Sequence, residues 1–407
     1  MLKIDLDKNK KYILACSYGP DSMALFDLLL KNNYDFVVCF LNYKTRAESD
    51  IEEEKITAFC RVFSKKLYKE IYDLKDKNVN FEALARKARY DFFVEIAKKE
   101  NIKDILIAHH LDDLVETYYL QKKSNRINEF LGLTYRRLYV DDIYLVRPLL
   151  CYEKKEILDY CKENSIDYSI DYTNFENIHQ RNILRNKELI NLSKKDKLNI
   201  FNLCKEKNEF LIDLYLKVDN DGIFLNNYVL DNLSIEDKNR AAFRFLKNNG
   251  MNNIKKHDID ILYKLDLNKT YELNNKILGF CNTFYVAINK LYSNLYEFKF
   301  DEIPNSFGFD LQCFLAKYPN FEANDIKIVN LSRFKKISLS HYQKTLDEYL
   351  REIHLPKILR SIWPCVVDKN NNLIYFPRFQ ENYQIRHDIF NIDIKNFLTT
   401  FDKRISD

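Results

Sequence analysis

The sequence predicts an α/β protein: a parallel-sheet domain over residues 1–190, a mainly helical segment over 191–325, and a small α+β unit over 326–407. Two observations lead there. Short apolar runs alternate with stretches whose apolar residues recur every three or four positions. This alternation persists through the first half of the chain and fades after about residue 190.

Taken in order, Tyr12–Cys16 is a short apolar strand, and Met23–Lys31 follows as a helix with Met23, Phe26, Leu29 and Leu30 on one face. Phe36–Leu41 is a second strand, Ser49–Phe63 a helix and Leu67–Tyr72 a third strand. Phe81–Lys99 is a long helix, because Phe81, Leu84, Ala85, Ala88, Phe92 and Ile96 fall at helical spacing. Ile105–Ala108 is a fourth strand, and a helix runs through Leu111–Leu120. Strands alternating with helices in this way give a parallel sheet covered on both faces, a Rossmann-like arrangement. Ligands of such sheets bind beyond the carboxyl ends of the strands, where Ser17–Ser22 and His109–Glu116 fall. Further on, Asn191–Val218 and shorter segments to about 265 read as helical, and strand-like and irregular pieces mix to about 325. Leu346, Tyr349, Leu350 and Ile353 form a helical face, and Cys365–Val367 with Leu373–Phe376 form a hairpin.

The composition, 46% hydrophobic and 30% charged, is that of a soluble globular protein with real cores. No signal peptide or membrane span is expected, since no apolar run approaches the length either requires. The net charge of +4 over 407 residues neither demands nor excludes a polyanionic partner. Nine scattered cysteines form no C-x-x-C pair, which argues against a zinc ribbon, a redox dithiol or a cysteine-held cluster. Reduced thiols in a cytoplasm are the expectation.

Two short stretches carry chemistry. The first, C-S-Y-G-P-D-S-M-A-L over residues 16–25, places Gly19 in a strand-to-helix turn with Ser17, Asp21 and Ser22 around it. Backbone N–H groups, hydroxyls and the helix dipole can there face a phosphate, although a plain helix cap explains the same residues about as well. The six glycines exclude G-x-G-x-x-G and G-x-x-x-x-G-K, so the usual dinucleotide and P-loop motifs are absent. The second stretch, I-A-H-H-L-D-D-L-V-E-T over 107–117, puts Asp112, Asp113 and Glu116 at helical spacing. Three acids near a phosphate loop suit Mg²⁺ bound with substrate phosphates, or capture of a substrate cation; an acidic first helix turn is the simpler reading of Asp112 alone.

Ser17-Tyr18-Gly19-Pro20-Asp21-Ser22 resembles the S-G-G-x-D-S pyrophosphate loop of the N-type ATP pyrophosphatases, with Tyr18 where that pattern prefers glycine. His109-His110 with Asp113, Glu116 and Thr117 is similar to the H-H-x-x-D-x-x-E-T signature of the tRNA(Ile)-lysidine synthetase family. Further similarities follow in order. They are Asn42 and Arg46; Ala85-Arg86 with Arg89-Tyr90; Arg147-Pro148-Leu149-Leu150; Asp171, Thr173 and Asn174; Arg181-Asn182 and Arg185. Lys344, Leu346, Pro356, Arg360 and Pro364 resemble the family's C-terminal domain more weakly, and Phe40 and Tyr43 stand where it has histidines.

The resemblance implies a PP-loop ATP pyrophosphatase catalytic domain over 1–190, a linker or tRNA-binding domain over 191–325 and a tRNA-recognition domain over 326–407. It implies ATP and Mg²⁺ as cofactors, with free L-lysine and an isoleucine tRNA bearing an unmodified anticodon cytidine as substrates. In this scheme Ser17, Tyr18, Gly19, Pro20, Asp21 and Ser22 hold ATP, and Asp21 also holds Mg²⁺. Asp113 and Glu116 capture lysine, while Arg181 and Arg185 act at the reacting groups. Arg86, Arg46, His109, Lys122, Lys123 and Arg126 contact the adenylated intermediate or tRNA. Residues 121–137 carry five basic side chains against one acid and 331–360 seven against three, two candidate polyanion surfaces. Tyr18 is expected to turn its ring outward over the nucleotide or the neighbouring helix. A thiolase of the same superfamily and a catalytically inactive tRNA-binding relative are the alternatives, and a homodimer stays open.

Overall fold

In the computed structural model, residues 2–44, 48–72, 81–124, 126–169, 184, 189, 191–289, 296–334, 336–339, 342–377 and 389–403 are described. The chain divides into two compact units, residues 1–210 and 211–407.

The first unit is built on a six-stranded sheet in the order β3-β2-β1-β4-β6-β5. Its strands are β1 (Lys11–Ala15), β2 (Asp35–Asn42), β3 (Leu67–Ile71), β4 (Asp104–Leu106), β5 (Arg136–Val140) and β6 (Ile143–Val146). All neighbours pair in parallel except β5, which returns antiparallel to β6 across the turn at Asp141 and Asp142. The helices are α1 (Pro20–Lys31), α2 (Glu48–Val62), α3 (Phe81–Glu100), α4 (Leu111–Lys123) and α5 (Lys154–Glu163). The sequence pattern gives no sign of the β5–β6 hairpin or of α5, and the other elements lie where the periodicity puts them.

Alternate residues of the central strands face two separate cores. Tyr12, Leu14, Phe36 and Val38 pack in the layer that holds α1, while Ile13, Val37 and Cys39 pack against Phe92, Phe93 and Ile96 of α3. Both sheet faces are therefore dry, which is why these strands read as unbroken apolar runs. Phe26 is fully buried, with edge-on contacts to Phe36 and Phe59 at centroid distances of 5.3 and 5.2 Å. Burial of one such ring contributes about 2–3 kcal/mol and fixes α1 on the sheet.

Helix α6 (Lys194–Asn220) follows. The second unit holds two four-stranded sheets, of order β7-β10-β9-β8 and β11-β12-β15-β16, and a hairpin, β13-β14. These strands are β7 (Phe224–Asn226), β8 (Thr270–Leu273), β9 (Lys276–Cys281), β10 (Phe284–Asn289), β11 (Glu297–Lys299), β12 (Ile326–Asn330), β13 (Lys336–Leu339), β14 (Tyr342–Thr345), β15 (Pro364–Asp368) and β16 (Leu373–Tyr375). One apolar cluster runs from Phe224 to Phe401, with Trp363 fully buried in it and its indole N–H donating to the Pro377 carbonyl at 2.9 Å. Among the described residues, no helix is long and apolar enough to cross a membrane.

Candidate active site

Strands β1 and β4 are neighbours, Tyr12 opposite Asp104 and Leu14 opposite Leu106, and the sheet order reverses between them. Such a reversal leaves a crevice beyond the strands' carboxyl ends. The chain leaving β1 forms the Ser17–Ser22 turn, and the chain leaving β4 forms the start of α4, so both chemistry-bearing stretches open on that crevice.

The turn after β1 is held by its own polar groups. Ser22 Oγ donates to the Gly19 carbonyl at 3.0 Å and accepts from the Ser17 N–H at 3.2 Å, and Ser22 itself is buried. Gly19 is the residue before the helix and has an extended backbone, φ −78°, so it is not there for a left-handed bend. A Cβ on it would meet only the Ser17 hydroxyl, at 3.4 Å. The missing side chain leaves the mouth of the turn open to a ligand, which a bulkier residue would narrow. Pro20 starts α1 without needing an N–H, while the N–H groups of Asp21 and Ser22 lie in the first turn, where no intrahelical acceptor exists.

Tyr18, not Gly19, adopts the left-handed conformation, with φ +59°. Its ring turns inward, contrary to the outward placement expected from the sequence. It is 2% exposed, packs in the α1 core layer, and donates its hydroxyl to Asp167 Oδ2 at 3.0 Å. The Tyr18 carbonyl accepts from Ser169 N–H at 2.9 Å, and Lys55 lies on Asp167 at 3.1 Å. A non-glycine residue in this region carries about 1–3 kcal/mol of backbone strain, which the ring's burial and these contacts offset. Phe40 is equally buried, and Tyr43 is held by its hydroxyl between the Ala85 carbonyl and Arg89 Nε.

The start of α4 is an array of acids. Asp113 Oδ2 accepts from the His110 N–H at 3.0 Å and so caps the helix. Asp112 accepts from the Lys154 backbone N–H at 2.8 Å and from Lys197 Nζ at 2.6 Å. Burial opposes the charge on Asp112, yet these bonds and His110 outweigh it and hold its carboxyl well below the usual range. His110 is buried, which disfavours its cation, but Asp113, Asp112 and Asp21 together raise its pKa. Asp21 thus shares one local field with the α4 acids. Glu116 lies one turn along the helix and is 1% exposed.

Lys154, the first residue of α5, joins the two stretches. Its Nζ lies 2.7 Å from both Asp21 oxygens while its backbone N–H is on Asp112. Asp21 and Asp112 are therefore bridged by one residue, and both, with Asp113, act on His110. Sequence reading gave Lys154 and Lys197 no role and set Asp112 aside as a helix-dipole residue. Nothing in local spacing marks Lys154, which is 133 residues from Asp21. Arg147, seen in sequence only as part of a motif, is 4% exposed. It donates from Nε to His109 Nδ1 at 3.0 Å and from Nη1 to the Thr134 carbonyl at 2.7 Å. Burial pushes its pKa down to about 10.

The remaining expected site residues spread outward. Arg86 is exposed and lies over the Tyr90 ring at 4.9 Å, Lys122 lies over Tyr118 at 5.7 Å, and Arg126 is exposed. Lys123 ends α4. In the basic stretch 121–137, Arg136 pairs with Asp104 at 2.9 Å and Arg137 with Glu129 at 2.7 Å, which reduces the free positive charge there. Arg46, Arg181 and Arg185 lie outside the described residues, as do Asp171, Thr173, Asn174 and Asn182. Among the described residues no group of three or more acid, histidine or cysteine side chains is arranged to hold a metal by itself.

Residues 2–192 match the PP-loop domain family. The chain is 37% identical over 238 residues to a tRNA(Ile)-lysidine synthase of Mycoplasma mycoides, an alignment spanning 57% of each protein. It is 34% identical over 299 residues to a tRNA(Ile)-lysidine synthase of Malacoplasma penetrans, covering 65% of this chain and 97% of that one. Among solved structures, a U34-tRNA thiolase from Methanococcus maripaludis is similar over 51% of this chain and 74% of its own, at 15% identity and a TM-score of 0.44. With nearly the whole of the Malacoplasma relative matched at 34% identity, the chain belongs to the tRNA(Ile)-lysidine synthase family.

Proposed function

We propose that this chain is an ATP-dependent carbon–nitrogen ligase that makes lysidine at the first anticodon position of an isoleucine tRNA. The observation that supports the reading is the junction at Lys154, which bonds to Asp21 of the turn after β1 and to Asp112 of α4. The cytidine 2-oxygen attacks the α-phosphorus of ATP, the α–β bridging bond breaks, and pyrophosphate leaves with the electron pair. The ε-amine of lysine, after losing a proton, attacks C2; the C2–O bond breaks and AMP leaves.

The chain's residues supply positioning and charge. The open face at Gly19 and the first-turn N–H groups of Asp21 and Ser22 receive phosphate oxygens. Ser17 and Tyr18 shape that turn. Asp21 suits a divalent cation bound with phosphates, and the Lys154 ammonium already lying on both its oxygens is a stand-in for one. Mg²⁺ there would neutralise charge on the departing pyrophosphate. Glu116 and Asp113 attract the lysine ammonium, Glu116 from a buried position. Arg147 steadies His109 beside them. Arg46, Arg86, Arg181, Arg185, Lys122, Lys123 and Arg126 remain proposed contacts for the intermediate or tRNA, and the cytoplasm is the proposed compartment. The inactive-relative reading loses support, because Tyr18, Phe40 and Tyr43 are turned into packed positions that leave the turn open.

The test is incorporation of radiolabelled lysine into unmodified isoleucine tRNA by the purified protein with ATP and Mg²⁺. ATP-dependent labelling is expected. Binding of tRNA without labelling would sustain the inactive relative, and sulfur transfer in its place would sustain the thiolase.

A further inference from the structure

The phosphate turn has an unmet need. Residues 16–25 contain no basic side chain, and Pro20 removes one backbone donor, so a pyrophosphate leaving group finds no positive side chain within the turn. Among the described residues, Lys154 is the cation the fold brings there. Its backbone is fixed by the bond to Asp112 and by the packing of α5 on α1, but its side chain is 37% exposed and its Asp21 partner 26%. Lys197, by contrast, is 15% exposed and lies between Asp112 and Glu153 at 2.6 and 2.9 Å. Among the described residues, one lysine is locked between two acids, and the other is paired with a single acid.

We infer that Lys154 is an exchangeable cation of the diphosphate subsite. Without nucleotide it neutralises Asp21; with nucleotide it moves to phosphate oxygens, and a divalent cation takes its place on the Asp21 carboxylate. The exchange conserves charge, since the carboxylate trades one cation for another and the ammonium trades one anion for another. A flexible four-carbon stem bearing a compact ammonium suits the move. A lysine that merely tied α5 to α1 would give no such coupling between metal and phosphate. This assignment rests on the ligase reading and names which residue serves its leaving group.

Calorimetric titration of the full chain with inorganic pyrophosphate, with and without Mg²⁺, tests it, together with Mn²⁺ binding followed by electron paramagnetic resonance. Lys154→Met is expected to weaken pyrophosphate binding by about ten- to a hundredfold. The same variant is expected to bind Mn²⁺ more tightly, because the competitor on Asp21 is gone. Lys154→Arg keeps the charge and should stay within about tenfold of wild type. Asp21→Asn gives the opposite sign: with the ammonium released, metal-free pyrophosphate binding tightens while its stimulation by Mg²⁺ disappears. Wild-type pyrophosphate affinity in Lys154→Met, or weaker metal-free binding in Asp21→Asn, overturns the inference; the asparagine variant decides the matter where the methionine variant does not fold. Failure of the wild-type chain to bind either ATP or pyrophosphate would instead bring down the ligase reading, and the inference with it.

Discussion

The two ends of the parallel sheet are both ringed with ion pairs, and they use them differently. At the amino end, Glu100 closes α3 and accepts from Lys11 at the start of β1, from Lys66 just before β3 and from the Tyr68 hydroxyl. Asp104 at the start of β4 pairs with Arg136 and Lys10. Each of these acids gathers two or more donors, and the result is a set of struts. At the carboxyl end, Asp21 has the half-buried Lys154 as its ion-pair partner, a strained tyrosine stands before the glycine, and the acids of α4 crowd a buried histidine. The difference teaches that ion pairs by themselves mark nothing. A single exchangeable partner, an open backbone face and local strain together distinguish a working edge from a structural one.

Removing the acid at the working edge should have the largest effect. Asp21→Ala is expected to cut lysine incorporation by about a hundredfold or more while leaving tRNA binding and the folded core intact. Filter binding and the labelling assay, run on the same preparation, check both halves; normal incorporation would erase the contrast between the two ends. Next comes Asp112→Asn, which removes the charge that Lys197, His110 and the start of α5 share. A loss of about 3 kcal/mol in unfolding free energy is expected, because it breaks a largely buried pair. Denaturant titration measures it, and an unchanged midpoint would show that the network does not hold α4 to α5.

Much of this working edge was legible in the sequence, because two short motifs follow two strands and only a parallel sheet puts both at one end. The hairpin of β5 and β6 was not. Arg136 and Arg137 open β5, so the run looked like part of a basic patch, and only the fold shows those charges committed to Asp104 and Glu129. Helix α5 carries Ile157, Tyr160 and Cys161 at helical spacing, yet it starts on charged residues directly after a motif, so its short apolar face is masked in the sequence. Lys154 and Arg147 act across long sequence separations, on Asp21 and His109, which no local pattern encodes. Tyr18 departs from the pyrophosphate-loop pattern in the sequence itself, but its inward turn depends on Asp167 and Ser169, far along the chain.

Tyr18 sharpens the comparison at a smaller scale, since it sets backbone strain against packing at one residue. Tyr18→Gly relieves the left-handed strain but removes a buried ring and its bond to Asp167. The net expectation is a loss of about 2 kcal/mol, as the cavity cost exceeds the relief. Tyr18→Phe keeps the ring and should lose about 1 kcal/mol, from the hydroxyl alone. A glycine variant as stable as wild type would mean that the ring contributes nothing to holding the turn.

The smallest effect belongs to the structural edge, and it is pH-dependent. Hydrogen bonds from Lys66, Tyr68 and Lys11 bring the Glu100 pKa down to about 2 in the folded chain. An unfolded glutamate titrates near 4.3. Because the folded value is the lower, the stabilisation is fully present above about pH 4.3 and is lost as the pH falls towards 2. Glu100→Gln should therefore lower the melting temperature at neutral pH by roughly 2–4 °C, about 1 kcal/mol after allowance for solvent screening. That gap should close as both proteins are melted at successively lower pH, while lysine incorporation at neutral pH stays unchanged. A gap that persists at pH 3, or a loss of incorporation, would mean that this end of the sheet is not the inert strut its saturated acids describe.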